Sequence, residues 1–197
     1  KRENVVSTLR EELHIPATSK IVGIVGRLRY EKDIPTTLKV AQKVIQEHPD
    51  TYFLLVGDGP DREGAEKTVQ QMGLADKIRF LGFRQDALNV YTALDVFAST
   101  SLTEGTPNTV LEALAMEVPI VHTAVGGVPE MIQDGYDGIL CRVGDVEGIA
   151  QAVLSLLNDE EKANRLREHG RQTVCAKFSF ANRLKTLETI YEEVTQM

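Results

Sequence analysis

Ile21-Val22-Gly23-Ile24-Val25-Gly26-Arg27-Leu28 is the run whose reading decides the fold. It is apolar almost throughout rather than at alternate positions, the mark of a strand covered on both faces, as parallel strands are. An amphipathic stretch of helical length, Ile34 to Glu47, follows it, and then a second apolar run, Thr51 to Val56. Strand, helix and strand at this spacing make one βαβ unit. Working outward, Ile78 to Gly82, Asp95 to Ser99, Pro119 to Thr123 and Gly138 to Cys141 read as four more buried strands. Between them lie the helical stretches Arg62 to Met72, Ala87 to Leu94, Asn108 to Met116 and a short Pro129 to Ile132. The alternation predicts an α/β fold: a Rossmann-like, doubly wound, parallel six-stranded sheet with extra C-terminal helices, Val146 to Leu157, Glu160 to Lys177 and Phe180 to Thr195. Residues 1–197 read as one domain, with the sheet and its helices over about 20–158 and the C-terminal helices over 159–197.

The composition excludes several classes. At 197 residues, 42% hydrophobic and 26% charged, the chain is long and apolar enough for one sizeable core. A net charge of −7 argues against a wide nucleic-acid surface, so no nucleic-acid partner is expected. No run reaches the length of a membrane span and no apolar signal core follows Lys1, so the reading is soluble and cytoplasmic. Cys141 and Cys175 form no Cys-x-x-Cys pair and the histidines are scattered, so both cysteines read as reduced and structural and no metal is called for.

In an open α/β sheet, ligands bind beyond the carboxyl ends of the strands. The residues there are Arg27, Arg29 and Lys32, then Gly57-Asp58-Gly59, Gly82-Phe83-Arg84, Ser99 to Asn108, and Gly126-Gly127. The most informative is Ser101-Leu102-Thr103-Glu104-Gly105-Thr106-Pro107-Asn108-Thr109-Val110-Leu111-Glu112-Ala113, with two carboxylates eight positions apart. Pro107 suits a first helical position and Thr106 can cap it. The N–H groups of Asn108, Thr109 and Val110 would then be unpaired at the positive end of the helix dipole, an anion site that fits a diphosphate. Glu112, about one turn deeper, roughly 5 Å along the axis, can accept both hydroxyls of a ribose diol. Gly126-Gly127 allows a backbone to approach a ligand closely, or simply a tight turn. Gly57-Asp58-Gly59-Pro60 reads equally as a plain strand-to-helix turn, and His122 as a satisfied structural histidine.

The Ser101 to Ala113 segment resembles the Glu-x7-Glu signature of the retaining glycosyltransferases of GT-B architecture, group one or family four. Val25-Gly26-Arg27-Leu28 with Glu31-Lys32, Leu55-Val56-Gly57-Asp58-Gly59-Pro60, Phe80-Leu81-Gly82-Phe83, Val125-Gly126-Gly127-Val128-Pro129-Glu130 and Asp134-Gly135-Tyr136-Asp137-Gly138 match the family in order and spacing. The resemblance runs from about Ile21 to Asn158. It implies that this chain is the C-terminal, donor-binding lobe of a hexosyltransferase that takes a UDP- or GDP-sugar and works with retention, without cofactor or metal. Arg27 and Lys32 would hold the diphosphate and Glu104 the sugar hydroxyls, these three carrying catalysis. Glu112 would bind the ribose, and Arg84 would serve the base pocket through its backbone. Gly105, Asn108, Thr109, Val110, Gly126 and Gly127 would complete the donor site. The resemblance further implies a separate N-terminal acceptor lobe, without which this half binds donor but does not turn it over, and peripheral membrane association of the full enzyme only.

Two departures stand out: Asp33 replaces the family's glycine after the lysine, adding negative charge near the phosphates, and Thr106 replaces a larger apolar residue. Among rivals, a dinucleotide oxidoreductase needs Gly-x-Gly-x-x-Gly after the first strand, where this chain has Gly23-Ile24-Val25-Gly26-Arg27. A P-loop needs a Gly-Lys pair, and the sequence has none. An epimerase or phosphorylase of the same architecture, and a non-catalytic nucleotide-sugar-binding module, stay open as alternatives. Along the tail, Leu166, Phe178, Phe180, Leu184, Leu187 and Ile190 form an apolar stripe, read as core-facing with part of it an interface to the other lobe.

Overall fold

The computed structural model describes residues 6–195. Helix α1 (Leu9–Glu12) precedes β1 (Lys20–Val25), a 3₁₀ turn (Tyr30–Lys32), α2 (Ile34–Glu47), β2 (Thr51–Val56), α3 (Arg62–Gln71) and β3 (Ile78–Gly82). The second half holds α4 (Ala87–Ala93), β4 (Val96–Ser99), α5 (Asn108–Ala115), β5 (Ile120–Thr123), α6 (Val128–Met131) and β6 (Ile139–Cys141). Helices α7 (Val146–Asn158), α8 (Glu160–Lys177) and α9 (Phe180–Thr195) follow. The strands form one six-stranded sheet in the order β3-β2-β1-β4-β5-β6, and every pairing is parallel. The order reverses between β1 and β4, and that switch point is where this topology opens a crevice.

Each strand alternates its side chains between two cores, which is why the apolar runs are continuous. Val22, Phe53 and Leu55 join the core under α2, α3 and α7, while Ile21 and Leu54 join the one that Val110 and Leu114 of α5 share. Burying each such side chain contributes about 1.5 to 3 kcal/mol before chain entropy is subtracted. Aspartates start the long helices: the carboxylates of Asp33, Asp145 and Asp159 accept from the N–H groups of Thr36, Gly148 and Lys162 at 3.3, 2.8 and 2.9 Å.

The expected first strand is too long. It ends at Val25, because Gly26 at φ +153° takes the chain out of the strand, and Leu28 is buried from a loop whose N–H donates to the carbonyl of Asp58. The opening of α5 differs too: Pro107 occupies the cap position with extended ψ of 117°, no side chain caps the helix, and Thr106 is exposed. Helix α1 and the 3₁₀ turn were not anticipated. In the tail, Leu166 is buried and Phe178 half-buried, Leu184 is exposed, and the side chains of Phe180, Leu187 and Ile190 lie outside the described residues. Cys141 is half-buried and Cys175 exposed, so the second is not a packing residue. Among the described residues, no helix is long and apolar enough to cross a membrane.

Candidate functional site

At the switch point, the loop after β1 meets the loop after β4. Lys32 Nζ lies 2.5 Å from Oε1 of Glu104, joining residues 72 positions apart in the chain. Both side chains are largely covered, at 17% and 11% exposure, so the pair is shielded from solvent far more than a surface ion pair is. The same Oε1 accepts from the Ser101 hydroxyl at 2.6 Å. Burial opposes ionisation of Glu104, but the Lys32 and Ser101 hydrogen bonds outweigh it and hold the carboxyl below its ordinary range.

The loop that presents Glu104 is pinned from β5. Gly126 has φ +53°, and a Cβ there would fall 1.7 Å from the carbonyl oxygen of Glu104, so only glycine fits. The N–H of Gly127 donates to the carbonyl of Gly105 at 3.0 Å. These two glycines therefore hold the Glu104 loop through backbone contact, a role their sequence position left open. Gly105 is exposed beside it.

Helix α5 supplies two free donors rather than three. The N–H of Val110 donates to the carbonyl of Pro107 at 3.1 Å, as expected once Pro107 stands in the cap position with its carbonyl available. Asn108 and Thr109 make no backbone N–H bond among the described residues, so their donors point out of the helix end with the dipole behind them. Farther along α5, Glu112 is exposed, and its Oε2 accepts from the hydroxyl of Tyr91 at 2.8 Å. Tyr91 is buried, and its burial and the Glu112 charge both push the phenol's pKa upward, keeping it a donor.

Arg27 is exposed and has no hydrogen bond or ion pair from its side chain among the described residues, a cation free for a ligand. Arg84 is the opposite case. Its guanidinium binds Glu12 through Nη1 and Nη2 at 2.6 and 3.0 Å, and Asp86 through Nε and Nη2 at 2.8 and 2.7 Å. The side chain is fully committed, whereas its backbone N–H has no partner among the described residues. Asp33 turns its carboxylate to the N-terminus of α2 from a left-handed backbone at φ +47°, so its charge serves a helix end rather than standing loose by Lys32.

The motif Asp134 to Gly138 is an anchor: Asp137, buried, accepts from Gln133 N and Thr173 Oγ1, both at 2.7 Å, and ties the approach to β6 onto α8. His122 is buried at the end of β5 with Nδ1 2.8 Å from the carbonyl of Thr123, the satisfied histidine expected of it. Sequence reasoning missed Tyr91 and, though it placed Ser99 and Ser101 at the strand end, gave them no role. The one visible signal was three successive hydroxyl residues, Ser99-Thr100-Ser101, at a buried strand end. A groove of about 700 Å³ opens elsewhere, between α2 and α3, lined by Ile34, Leu38, Pro60, Ala65, Met72 and Leu102. Lys39, Asp33 and Asp61 also line it, but Arg27, Lys32 and the N–H groups of Asn108 and Thr109 do not. No group of three or more His, Cys, Asp or Glu converges as for a metal among the described residues.

Residues 5–173 match the family described as glycosyl transferases group 1. The chain is 33% identical over 189 residues to the N-acetyl-alpha-D-glucosaminyl L-malate synthase of Bacillus anthracis, covering 96% of this chain and 49% of that protein. It superposes on Anabaena HepE solved with UDP-glucose at a TM-score of 0.83, with 25% identity over 96% of this chain and 52% of that one. It also superposes on the C-terminal domain of the Francisella tularensis group 1 glycosyl transferase LpcC at 0.78, with 27% identity over 86% of this chain and 91% of that one. The chain spans about half the length of the curated relatives it matches.

Proposed function

Because the chain belongs to the group 1 glycosyl transferases, we propose that it is the donor-binding lobe of a retaining hexosyltransferase. Its substrate is a nucleoside diphosphate sugar, a UDP- or GDP-sugar first of all, and the sugar passes to an acceptor hydroxyl with its anomeric configuration kept. The observation that carries this reading is the Lys32–Glu104 pair at the switch point, with Arg27, which has no side-chain partner among the described residues, on the same loop after β1 and two free N–H groups at the start of α5.

Each group has a distinct task. The departing diphosphate gains negative charge as the glycosidic bond breaks, and donors fixed in place beforehand stabilise that charge without reorganising. Arg27, Lys32 and the N–H groups of Asn108 and Thr109 fill this role, so no metal or cofactor is needed. Glu104 accepts from sugar hydroxyls, Glu112 from the ribose diol, and the backbone of Arg84 meets the base. Acceptor binding belongs to an N-terminal lobe, so this chain alone binds donor without turnover. The whole protein is cytoplasmic and meets membranes only peripherally.

Calorimetric titration of the chain with UDP-, GDP- and ADP-glucose tests the reading. At least one is expected to bind. A folded chain that binds none of the three, nor the parent diphosphates, sinks it. HepE was solved with UDP-glucose, which makes the uridine donor the first to try.

A further inference from the structure

We infer that Ser101 is a positioning residue for sugar recognition: with Ser99 behind it, it aims the Glu104 carboxylate at the donor sugar. This rests on the proposed donor site and gives a function to a residue that had none there.

Ser99, Thr100 and Ser101 are all buried at the carboxyl end of β4, where hydroxyls are costly unless each finds a partner. Each does. Ser101 Oγ stands 2.6 Å from Glu104 Oε1 and 2.9 Å from Ser99 Oγ. A carboxylate only accepts, and a serine has one hydroxyl hydrogen, so Ser101 gives its hydrogen to Glu104 and receives one from Ser99. The direction of the relay is thereby fixed: Ser99 to Ser101 to Glu104. A hydroxyl that is itself receiving a hydrogen bond is a better donor, so Ser99 strengthens the last link.

The neighbouring contacts hold this relay in place. Thr123 on β5 donates to the carbonyl of Ser101 at 2.6 Å, and the single hydroxyl hydrogen of Thr100 is shared between the carbonyls of Lys32 and Asp33, which lie 3.0 and 3.1 Å from its oxygen. Three consecutive residues thus anchor both halves of the ion pair, Thr100 through the Lys32 backbone and Ser101 through the Glu104 side chain. Lys32 and Ser101 converge on the same oxygen, Oε1, and Oε2 has no protein partner among the described residues. A carboxylate gripped by one oxygen from two directions presents the other in a fixed orientation, as a hydroxyl acceptor requires.

The test separates sugar recognition from nucleotide binding. Affinities for UDP and UDP-glucose, or for the GDP or ADP pair that the chain prefers, are measured for the wild type, Ser101→Ala, Ser101→Cys, Ser99→Ala and Glu104→Gln. Ser101→Ala is expected to weaken the sugar nucleotide roughly tenfold relative to the diphosphate, about one hydrogen bond to a charged group. Ser99→Ala and Ser101→Cys, a near-isostere with a weak donor, fall between. In a Glu104→Gln background Ser101→Ala adds nothing to that ratio. Equal weakening of both ligands, or no change in their ratio in a folded variant, overturns the inference. If Glu104→Gln itself leaves the ratio unchanged, the donor-site reading of Glu104 fails instead.

Discussion

The phenol of Tyr91 on α4 donates to Oε2 of Glu112 on α5 at 2.8 Å, so a buried side chain fixes the rotamer of an exposed carboxylate. Oε2 is held by the protein, and Oε1 has no hydrogen-bond partner among the described residues. Glu112→Ala is expected to weaken UDP or GDP binding by about 1.5 to 3 kcal/mol, the worth of hydrogen bonds to a charged group. Tyr91→Phe keeps the charge and loses only the orientation, so it should cost less than Glu112→Ala. Calorimetry on the two variants ranks them, and an unchanged dissociation constant for Glu112→Ala removes that residue from the ribose.

Gly126→Ala should damage the site and the fold together. Its Cβ would fall 1.7 Å from the Glu104 carbonyl, at a backbone φ of +53° that alanine resists. The 101–105 loop must move, at a cost of about 1 to 3 kcal/mol for the strain alone. Gly73 is the control: its φ is +69°, but nothing lies within 4 Å of a Cβ there. Gly73→Ala should lower the melting temperature modestly and leave nucleotide-sugar affinity intact. If the two variants lose affinity equally, close approach to the Glu104 loop is not what Gly126 is for.

Arg27 and Arg84 are both arginines at strand ends, and they should behave oppositely. Arg27 has no side-chain partner among the described residues, so Arg27→Ala removes a cation available to the diphosphate and should cost about 1.5 to 3 kcal/mol of binding, less at high salt. Arg84 is saturated by Glu12 and Asp86, so Arg84→Ala should leave the affinity within about twofold while loosening α1, an effect of exposed pairs that is typically below about 1 kcal/mol. A large affinity loss in Arg84→Ala means that its side chain, not its backbone, reaches the base.

Most of the fold was legible because parallel strands covered on both faces leave unbroken apolar runs, and all six begin and end within a few residues of where those runs do. The failures have local causes. Leu28 looks like a strand residue because it is buried, yet the backbone turns away at Gly26. Pro107 was placed inside the helix from its usual preference, while here its ψ is extended. The site was legible as a set of residue types after strands, since topology alone brings strand ends together. Its wiring was not: nothing in a one-dimensional pattern says that Lys32 and Ser101 converge on one oxygen of Glu104, or that Asp33 spends its carboxylate on α2.

His122 gives the protein a stability change between the pH of histidine and that of carboxylates. The carbonyl of Thr123 only accepts, so Nδ1 carries the hydrogen, and burial favours the neutral ring. Burial pushes the ring down to about 4 from 6.5, against the hydrogen bond to Thr123 and the Glu104 charge, which favour protonation, and with the Lys32 charge, which opposes it. The unfolded chain therefore binds a proton on this residue near pH 6.5 that the folded chain refuses until about pH 4. Across that window the unfolded state holds more protons, so stability is full above 6.5 and falls as the pH drops, by on the order of 3 kcal/mol at the lower end. Glu104 acts in the same direction at lower pH: its depressed carboxyl stabilises the fold above the ordinary carboxylate range, and that contribution is lost as acid protonates it. His122→Gln removes the titrating ring and leaves Glu104 in place, so urea denaturation at pH 7, 6 and 5 should show a shallower fall in the variant than in the wild type. Parallel slopes in the two proteins mean that the buried ring is not what the acid titrates.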